Sequence, residues 1–209
     1  MGKSVSARSA VSVAIVVAIA SCLSSTATAA GRPITVTDLL SLQRVSDPQV
    51  SPDGARVVYT VGLPDIAANR TARDIWLVTV ATGEAKALTT SGHESDGRWS
   101  PDGRRVAFIS SRSGNEQLFV MNVDGSDARA VSTLSGGVAN IVWAPDGRSI
   151  AFTSEVYPDC REEACNAARD KQREENKSKA RIYDRLLYRH WSTWRAPARW
   201  SPPARLQAA

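Results

Sequence analysis

The sequence predicts an all-β chain with a helical insert: an incomplete β-propeller of about three four-stranded blades. Two observations carry this. A turn phrase recurs as "VSPDGARVVYT" (50–60), "WSPDGRRVAFIS" (99–110) and "WAPDGRSIAFTS" (143–154), placing Asp53, Asp102 and Asp146 at intervals of 49 and 44 residues. Between the copies a second element recurs, "DIWLVTVATGEAKALTT" (74–90) and "QLFVMNVDGSDARAVST" (117–133), with Trp76 and Phe119 43 residues apart. Each unit thus holds four short strands within 40 to 50 residues, the sequence form of a propeller blade.

In the repeated turn, Pro presets φ for the first position, Asp suits the next, and Gly accepts a positive φ cheaply. The pairs Asp53-Gly54, Asp102-Gly103 and Asp146-Gly147 are therefore expected to be structural turns, not catalytic or calcium-binding carboxylates. After the second turn, Val106, Phe108 and Ser110 alternate with Ala107 and Ile109, both sets largely apolar. That pattern predicts a strand covered on both faces by neighbouring blades. Trp99 and Trp143, just ahead of the turns, are expected to pack between blades.

Ahead of the repeats, residues 1–29 read as a secretory signal peptide. Lys3 and Arg8 precede an uncharged run, with a short apolar core from Ala10 to Ala20 and an A-x-A cleavage site ending at Ala29. The core is too short to span a bilayer comfortably. "IASC" (19–22) also has the form of a lipoprotein signal, with Cys22 as a lipid anchor in the alternative. Both readings place the mature chain outside the cytoplasm, periplasmic or secreted. The formal charge of +5 falls to +3 without Lys3 and Arg8, and the rest is uneven. Residues 155–209 hold twelve Lys/Arg against eight Asp/Glu, leaving the repeated part, 30–154, at −1. No basic stripe marks a nucleic-acid surface there.

The period fails at Glu155. "YPDCREE" (157–163) resembles a capping box with Asp159 as N-cap and Glu162 at N3, and good helix formers continue to about Lys179. Residues 155–194 are read as a helical insert and the start of the next strand, with "RIYDRLLYRHW" resuming periodicity. Residues 195–209, "RAPARWSPPARLQAA", are read as a disordered, coil-like tail. On a regular helix, Cys160 and Cys165 would have Cα atoms about 8–9 Å apart, beyond the bridging limit of about 7 Å. A disulfide between them, expected in an oxidising compartment, thus requires Cys160 to lie in the turn ahead of the helix. Two cysteines without a nearby His do not make a metal site; no metal and no cofactor is expected.

The phrases "DIWLV", "LTTSGHESDGRWSPDGRRVAFISSRSG", "QLFVMNVDGSDARAVS" and "VWAPDGRSIAFTS" resemble the N-terminal propeller of exported bacterial serine peptidases of the prolyl oligopeptidase family, in the dipeptidyl and acylaminoacyl peptidase branch. "SPDG" alone is shared with the propeller of the periplasmic protein TolB. "YPDC…EACN…KARIYDRLLYRHW" is similar to an insert carried by some dipeptidyl peptidases of the family. The resemblance implies a propeller that gates or docks peptide substrates in full-length relatives. It also implies that Glu162 and Glu163 could hold a substrate ammonium, the alternative being that they favour the start of the helix.

After Trp194 the sequence departs from the family pattern, which is expected to mark a truncated or frameshifted product. The family's nucleophile sits on a G-x-S-x-G elbow, and that motif occurs nowhere in the 209 residues. The two histidines, His93 and His190, follow no such serine. No catalytic residue is therefore assigned, and the chain is expected to be inactive alone. About three blades would leave open edges and a tendency to aggregate. The alternative function is a TolB-like periplasmic propeller that acts as a protein-binding module.

Overall fold

The computed structural model describes residues 31–178, residue 180, and the strand segments 189–190, 193–194 and 203–207. The signal peptide, its cleavage at Ala29 and the lipid anchor at Cys22 lie outside the described residues. So does most of "RIYDRLLYRHW".

The first unit, Met1–Leu39, holds the start of a short helix, α1 (Val36–Ser41). Thr35 and Asp38 cap it reciprocally: Asp38 Oδ2 accepts the Thr35 N–H at 2.8 Å, and Thr35 Oγ1 accepts the Asp38 N–H at 3.3 Å. The capping-box geometry thus forms at Thr35, a place the sequence reading passed over.

The second unit holds the blades. Blade 1 is an antiparallel meander of β1 (Arg44–Val50), β2 (Arg56–Asp65), β3 (Arg70–Thr79) and β4 (Ala85–Ala87). Blade 2 repeats it with β5 (Glu94–Trp99), β6 (Arg105–Ser110), β7 (Gln117–Asn122) and β8 (Arg129–Ala130). Blade 3 begins the same way with β9 (Ala139–Trp143) and β10 (Ser149–Thr153). Helix α2 (Glu163–Glu175) and a two-residue ladder, β11 (Arg189–His190) with β12 (Thr193–Trp194), follow. The third strand of blade 3 is β13 (Pro203–Gln207), antiparallel to β10 with Phe152 opposite Ala204. This segment lies in the stretch expected as coil. Its lack of alternation hid it, and the free hydrogen-bonding edge of β10 supplies the pairing.

Blade 2 explains its own composition. Val106, Phe108, Phe119 and Met121 pack against Val58, Ile75, Leu77 and Leu88 of blade 1. Ala107, Ile109, Leu118 and Val120 pack against Ile141, Trp143, Ile150 and Phe152 of blade 3. Adjacent residues of one strand feed opposite interfaces, so the whole run must be apolar. Phe108 and Phe119, register partners 5.6 Å apart, are buried, whereas the equivalent pair Tyr59 and Trp76 in blade 1 stays part-exposed.

The SPDG turns form one end of the unit. Gly54, Gly103 and Gly147 have φ of +70°, +68° and +66°. Asp53 accepts from the Ser51 hydroxyl and the Ala55 N–H, and Asp102 from the Ser100 hydroxyl and the Arg104 N–H. These bonds, the hydroxyl's first, hold both carboxyls below the usual range. Asp146 accepts from the Arg148 N–H, and Ala144 stands where the serines stand. Successive turns nest: a Cβ on Gly103 would lie 3.6 Å from Pro52, and one on Gly147 3.7 Å from Pro101.

Candidate functional site

The opposite end carries the longer loops: 66–69, 88–93, 111–116, 131–138 and the insert after Thr153. The strands deliver to it a set of polar side chains that the turn end lacks. In blade 1 the Thr89 hydroxyl accepts the Ile75 N–H at 2.9 Å and donates to Asp74 at 3.2 Å, while Asp74 also accepts the Gly92 N–H at 3.0 Å. Blade 2 repeats this arrangement. The Ser132 hydroxyl accepts the Leu118 N–H and donates to Gln117, which also accepts the Leu134 N–H. Each hydroxyl locks the loop leaving a blade onto the third strand, which fixes the rim.

At the rim between blades 1 and 2 lies Glu94, 1% exposed. Its carboxylate accepts from the hydroxyls of Ser91 (2.5 Å) and Ser110 (3.0 Å) and from Arg112 Nη2 (2.6 Å). Burial alone would push this carboxyl up. The donors from Ser91, Arg112 and Ser110 outweigh it and hold it below the usual range. Burial pushes the neighbouring Asp74 up, and the Glu94 carboxylate adds to the effect. Arg112 lies over the Phe119 ring at 4.8 Å and the Phe108 ring at 5.8 Å, so the ion pair seals the top of the interblade core.

Two clefts open on this rim. One of about 630 Å³ lies between blades 2 and 3, with Ser111, Glu116, Gly136, Asn140 and Glu155 in its walls. Gly136 is obligatory there: a Cβ would fall 1.8 Å from the Glu155 carbonyl oxygen. The other, about 280 Å³, lies between blades 1 and 2, walled by Arg70, Arg73, His93, Glu94, Ser111 and Glu116. Ser111 and Glu116 belong to both, so the clefts are two halves of one groove.

The insert is built against this groove. Cys160 and Cys165 are disulfide-bonded with Cα atoms 5.4 Å apart. Cys160 lies in a turn closed by its N–H on the Tyr157 carbonyl. Helix α2 therefore starts later than the sequence suggested: its N-cap is Glu162, without a side-chain cap bond, and it ends at Glu175 rather than near Lys179. Asp159 is not the cap because its carboxylate pairs with Arg169. Buried Asn166 accepts the Tyr157 N–H at 2.9 Å, and the Tyr157 hydroxyl donates to Asp170 at 2.9 Å. The "YPDC…EACN" phrase thus ties the helix to the strand end before it. Glu163 accepts the Ser135 N–H at 2.6 Å, anchoring α2 on a residue of the groove wall, while Glu162 is exposed.

Sequence reasoning missed Glu94 and Arg112, because nothing in the repeat marks them; the equivalents of Glu94 are Val45 and Val138. It also missed a repeated bulge in each blade's first strand, at Asp47, Asp96 and Asn140, with φ of 51°, 56° and 53°. The signal was present: an Asp or Asn stands six residues before each turn aspartate. Among the described residues no group of three or more His, Cys, Asp or Glu side chains could hold a metal ion.

Repeated four-stranded meanders, nested end to end and sharing two-faced strands, define a β-propeller. The model of the TolB beta propeller domain matches residues 33–160, and the chain belongs to that family. Dipeptidyl-peptidase 5 of Porphyromonas endodontalis is 30% identical over 157 residues, 75% of this chain and 22% of the relative. Dipeptidyl-peptidase 5 of Porphyromonas gingivalis is 32% identical over 180 residues, 81% of this chain and 24% of the relative. The chain therefore spans less than a quarter of the length of these curated relatives. Among solved structures, the AtxE2 isopeptidase aligns over 84% of this chain and 30% of its own, with a TM-score of 0.55 at 16% identity. An acylaminoacyl peptidase of Pyrococcus horikoshii aligns over 59% and 19%, with a TM-score of 0.50 at 20% identity. These structures share the fold. The resemblance to the propeller part of prolyl oligopeptidase-family peptidases, read from the blade phrases and the insert, stands with these matches.

Proposed function

We propose that this chain is the propeller part of an exported peptidase of the prolyl oligopeptidase family, docking and gating peptides at its loop end rather than cleaving them. The observation that carries this reading is the groove itself. Its wall is pinned by the Glu163–Ser135 bond to an insert of the kind such peptidases carry, in a chain 30% identical to a dipeptidyl peptidase. Within the reading, residues 1–29 direct export, and the Cys160–Cys165 bridge suits an oxidising compartment. Glu162 and Glu163 are proposed to bias the insert side of the groove toward a peptide ammonium, Glu163 sharing its carboxylate with the Ser135 N–H.

The test is titration of the full chain with an unblocked tetra-alanine, followed by amide NMR and by mass spectrometry of the peptide. Expected are shifts at 111–116 and 135–140 with the peptide left intact. Cleavage would assign the chain catalysis of its own, and no shifts at the groove would remove the docking role. The second reading, a TolB-like module that binds folded proteins, draws on the matched family model. It predicts that free peptide leaves the groove unperturbed.

A further inference from the structure

We infer that the half of the groove between blades 1 and 2 is a carboxylate subsite, formed by Arg70 and Arg73 with His93 beside them. This rests on the peptide-docking reading of the groove and deepens it by naming the group that this half receives.

Arg70 and Arg73 both wall the smaller cleft, and both are exposed. Among the described residues, neither has a carboxylate within ion-pair distance. Three carboxylates that the strand register, the chain or the cleft wall brings close to them are engaged elsewhere. Asp65, the cross-strand partner of Arg70, accepts the Ala68 N–H at 3.0 Å. Asp74, next to Arg73, takes the Gly92 N–H and the Thr89 hydroxyl. Glu94, in the cleft wall, is buried and paired with Arg112. Two guanidiniums thus line one cleft with Asp65, Asp74 and Glu94 committed, and the remaining carboxylate of its wall, the exposed Glu116, forms no ion pair with either.

The backbone holds them there. The Arg73 N–H donates to the Gly92 carbonyl at 3.1 Å, and Arg73 bridges His93 in parallel, so β3 and the 91–93 loop are paired through their backbones. His93 in turn lies 3.5 Å from the Ser111 hydroxyl through Nδ1. Guanidinium forks match carboxylate oxygens in bidentate geometry, and the hydroxyls of Ser111 and Thr71 in the same wall can complete the shell.

The other half of the groove is opposite in character, with Glu116 at the junction and Glu155 beyond it. Such a groove fixes direction: a short peptide lies with its carboxylate between blades 1 and 2 and its amino end toward the insert.

The experiment uses the full chain and N-acetylated tetra-alanine, which has no ammonium, as the free acid and as the C-terminal amide. A third probe, the amide with a Glu at its second position, offers a side-chain carboxylate instead. The free acid should bind about tenfold tighter than the amide, roughly what one charge-assisted contact supplies. The Arg70→Gln, Arg73→Gln double variant should erase that ratio while its near-ultraviolet circular dichroism is retained. The wild-type ratio stands without any variant, so an unstable variant does not remove the test. Recovery of affinity by the Glu-containing amide supports the subsite with a side-chain source; no recovery supports it with the C-terminus as source. Equal binding of acid and amide overturns the carboxylate subsite and leaves peptide docking in place. Binding of none of the three overturns the subsite, and the unblocked tetra-alanine then decides the docking reading separately: if it too leaves the groove unperturbed, both fall.

Discussion

Trp99 donates its indole N–H to the Gln49 carbonyl at 2.9 Å, joining blade 2 to the backbone of blade 1. One blade on, Trp143 donates to the Arg98 carbonyl at 3.1 Å, and Arg98 stands in the repeat where Gln49 stands. Over each indole lies an arginine of the preceding blade: Arg56 on Trp99 at 5.4 Å and Arg105 on Trp143 at 5.3 Å. Both joints therefore use one device, in which a blade contributes the carbonyl and the cation and its successor contributes the ring. The repeat lacks its parts at the two outer positions, with Val50 in place of the ring and Ser149 in place of the cation.

This joint makes a graded prediction. Trp143→Phe keeps most of the packing but leaves the Arg98 carbonyl without its donor, and should cost about 1–2 kcal/mol. Trp143→Ala also empties a buried site and should cost about 3–5 kcal/mol. Urea unfolding curves of the two variants measure both. A Trp143→Phe variant as stable as the wild type would mean that the N–H contributes nothing to the joint, and equal costs for the two variants would mean that the ring packing adds nothing beyond it.

The third turn offers a gain. Ser51 and Ser100 each donate to the turn aspartate, and Ala144 cannot. Ala144→Ser should supply the missing bond to Asp146 and stabilise the chain by about 0.5–1 kcal/mol, while Ser100→Ala should cost about 1 kcal/mol. The Asp102 carboxyl, released from the serine hydroxyl, should then titrate higher by carbon-detected NMR.

The turns, the strand order and the two-faced burial of β6 were legible because each follows from a repeated local pattern. Pro-Asp-Gly dictates backbone angles within four residues, and an unbroken apolar strand has to be covered twice. Trp99 and Trp143 were legible as packing residues, but not as donors, because their carbonyl acceptors lie 50 and 45 positions away. The groove was less legible still. Its charged residues come from unlike places that no period links, Arg70 and Arg73 from the start of β3 and Glu116 from the 111–116 loop. The start of α2 was misplaced for another reason: Asp159 has the chemistry of an N-cap, but the bridge at Cys160 and the pairing with Arg169 take it out of the helix.

Glu94 and Arg112 should show themselves through pH. The folded-state pKa of Glu94 lies below its ordinary value, so its contribution is fully present above pH 4.5 and is lost as pH falls through the folded value. Arg112→Gln removes the cation and leaves a buried carboxylate supported by hydroxyls and one backbone N–H. Because Arg112 is about one-third exposed, the cost at pH 7 should fall below the several kcal/mol of a fully buried pair, at about 2 kcal/mol. The carboxyl of the variant should titrate higher, so protonation relieves the cost and the gap from wild type should narrow between pH 7 and pH 4. Urea midpoints at both values decide it; a gap that is constant with pH would mean that Arg112 acts only by covering Phe108 and Phe119.

The insert should depend on its bridge more than the blades do. Cys160 and Cys165 close a short loop just ahead of and into α2, and closing a loop of that size restricts the unfolded chain by about 2 kcal/mol. The anchor beyond it is a set of single hydrogen bonds, Glu163 to Ser135, Asn166 to Tyr157 and Tyr157 to Asp170. Cys160→Ser with Cys165→Ser should therefore loosen 157–175 while the interblade cores keep their packing. Hydrogen exchange distinguishes the outcomes. Protection should fall in α2 and at the Ser135 N–H, which loses its carboxylate acceptor when the helix leaves, and should persist at Phe108 and Val120. An unchanged α2 would mean that the side-chain bonds hold the insert without the bridge. Loss of protection in β6 and β7 as well would mean that insert and blades unfold as one unit.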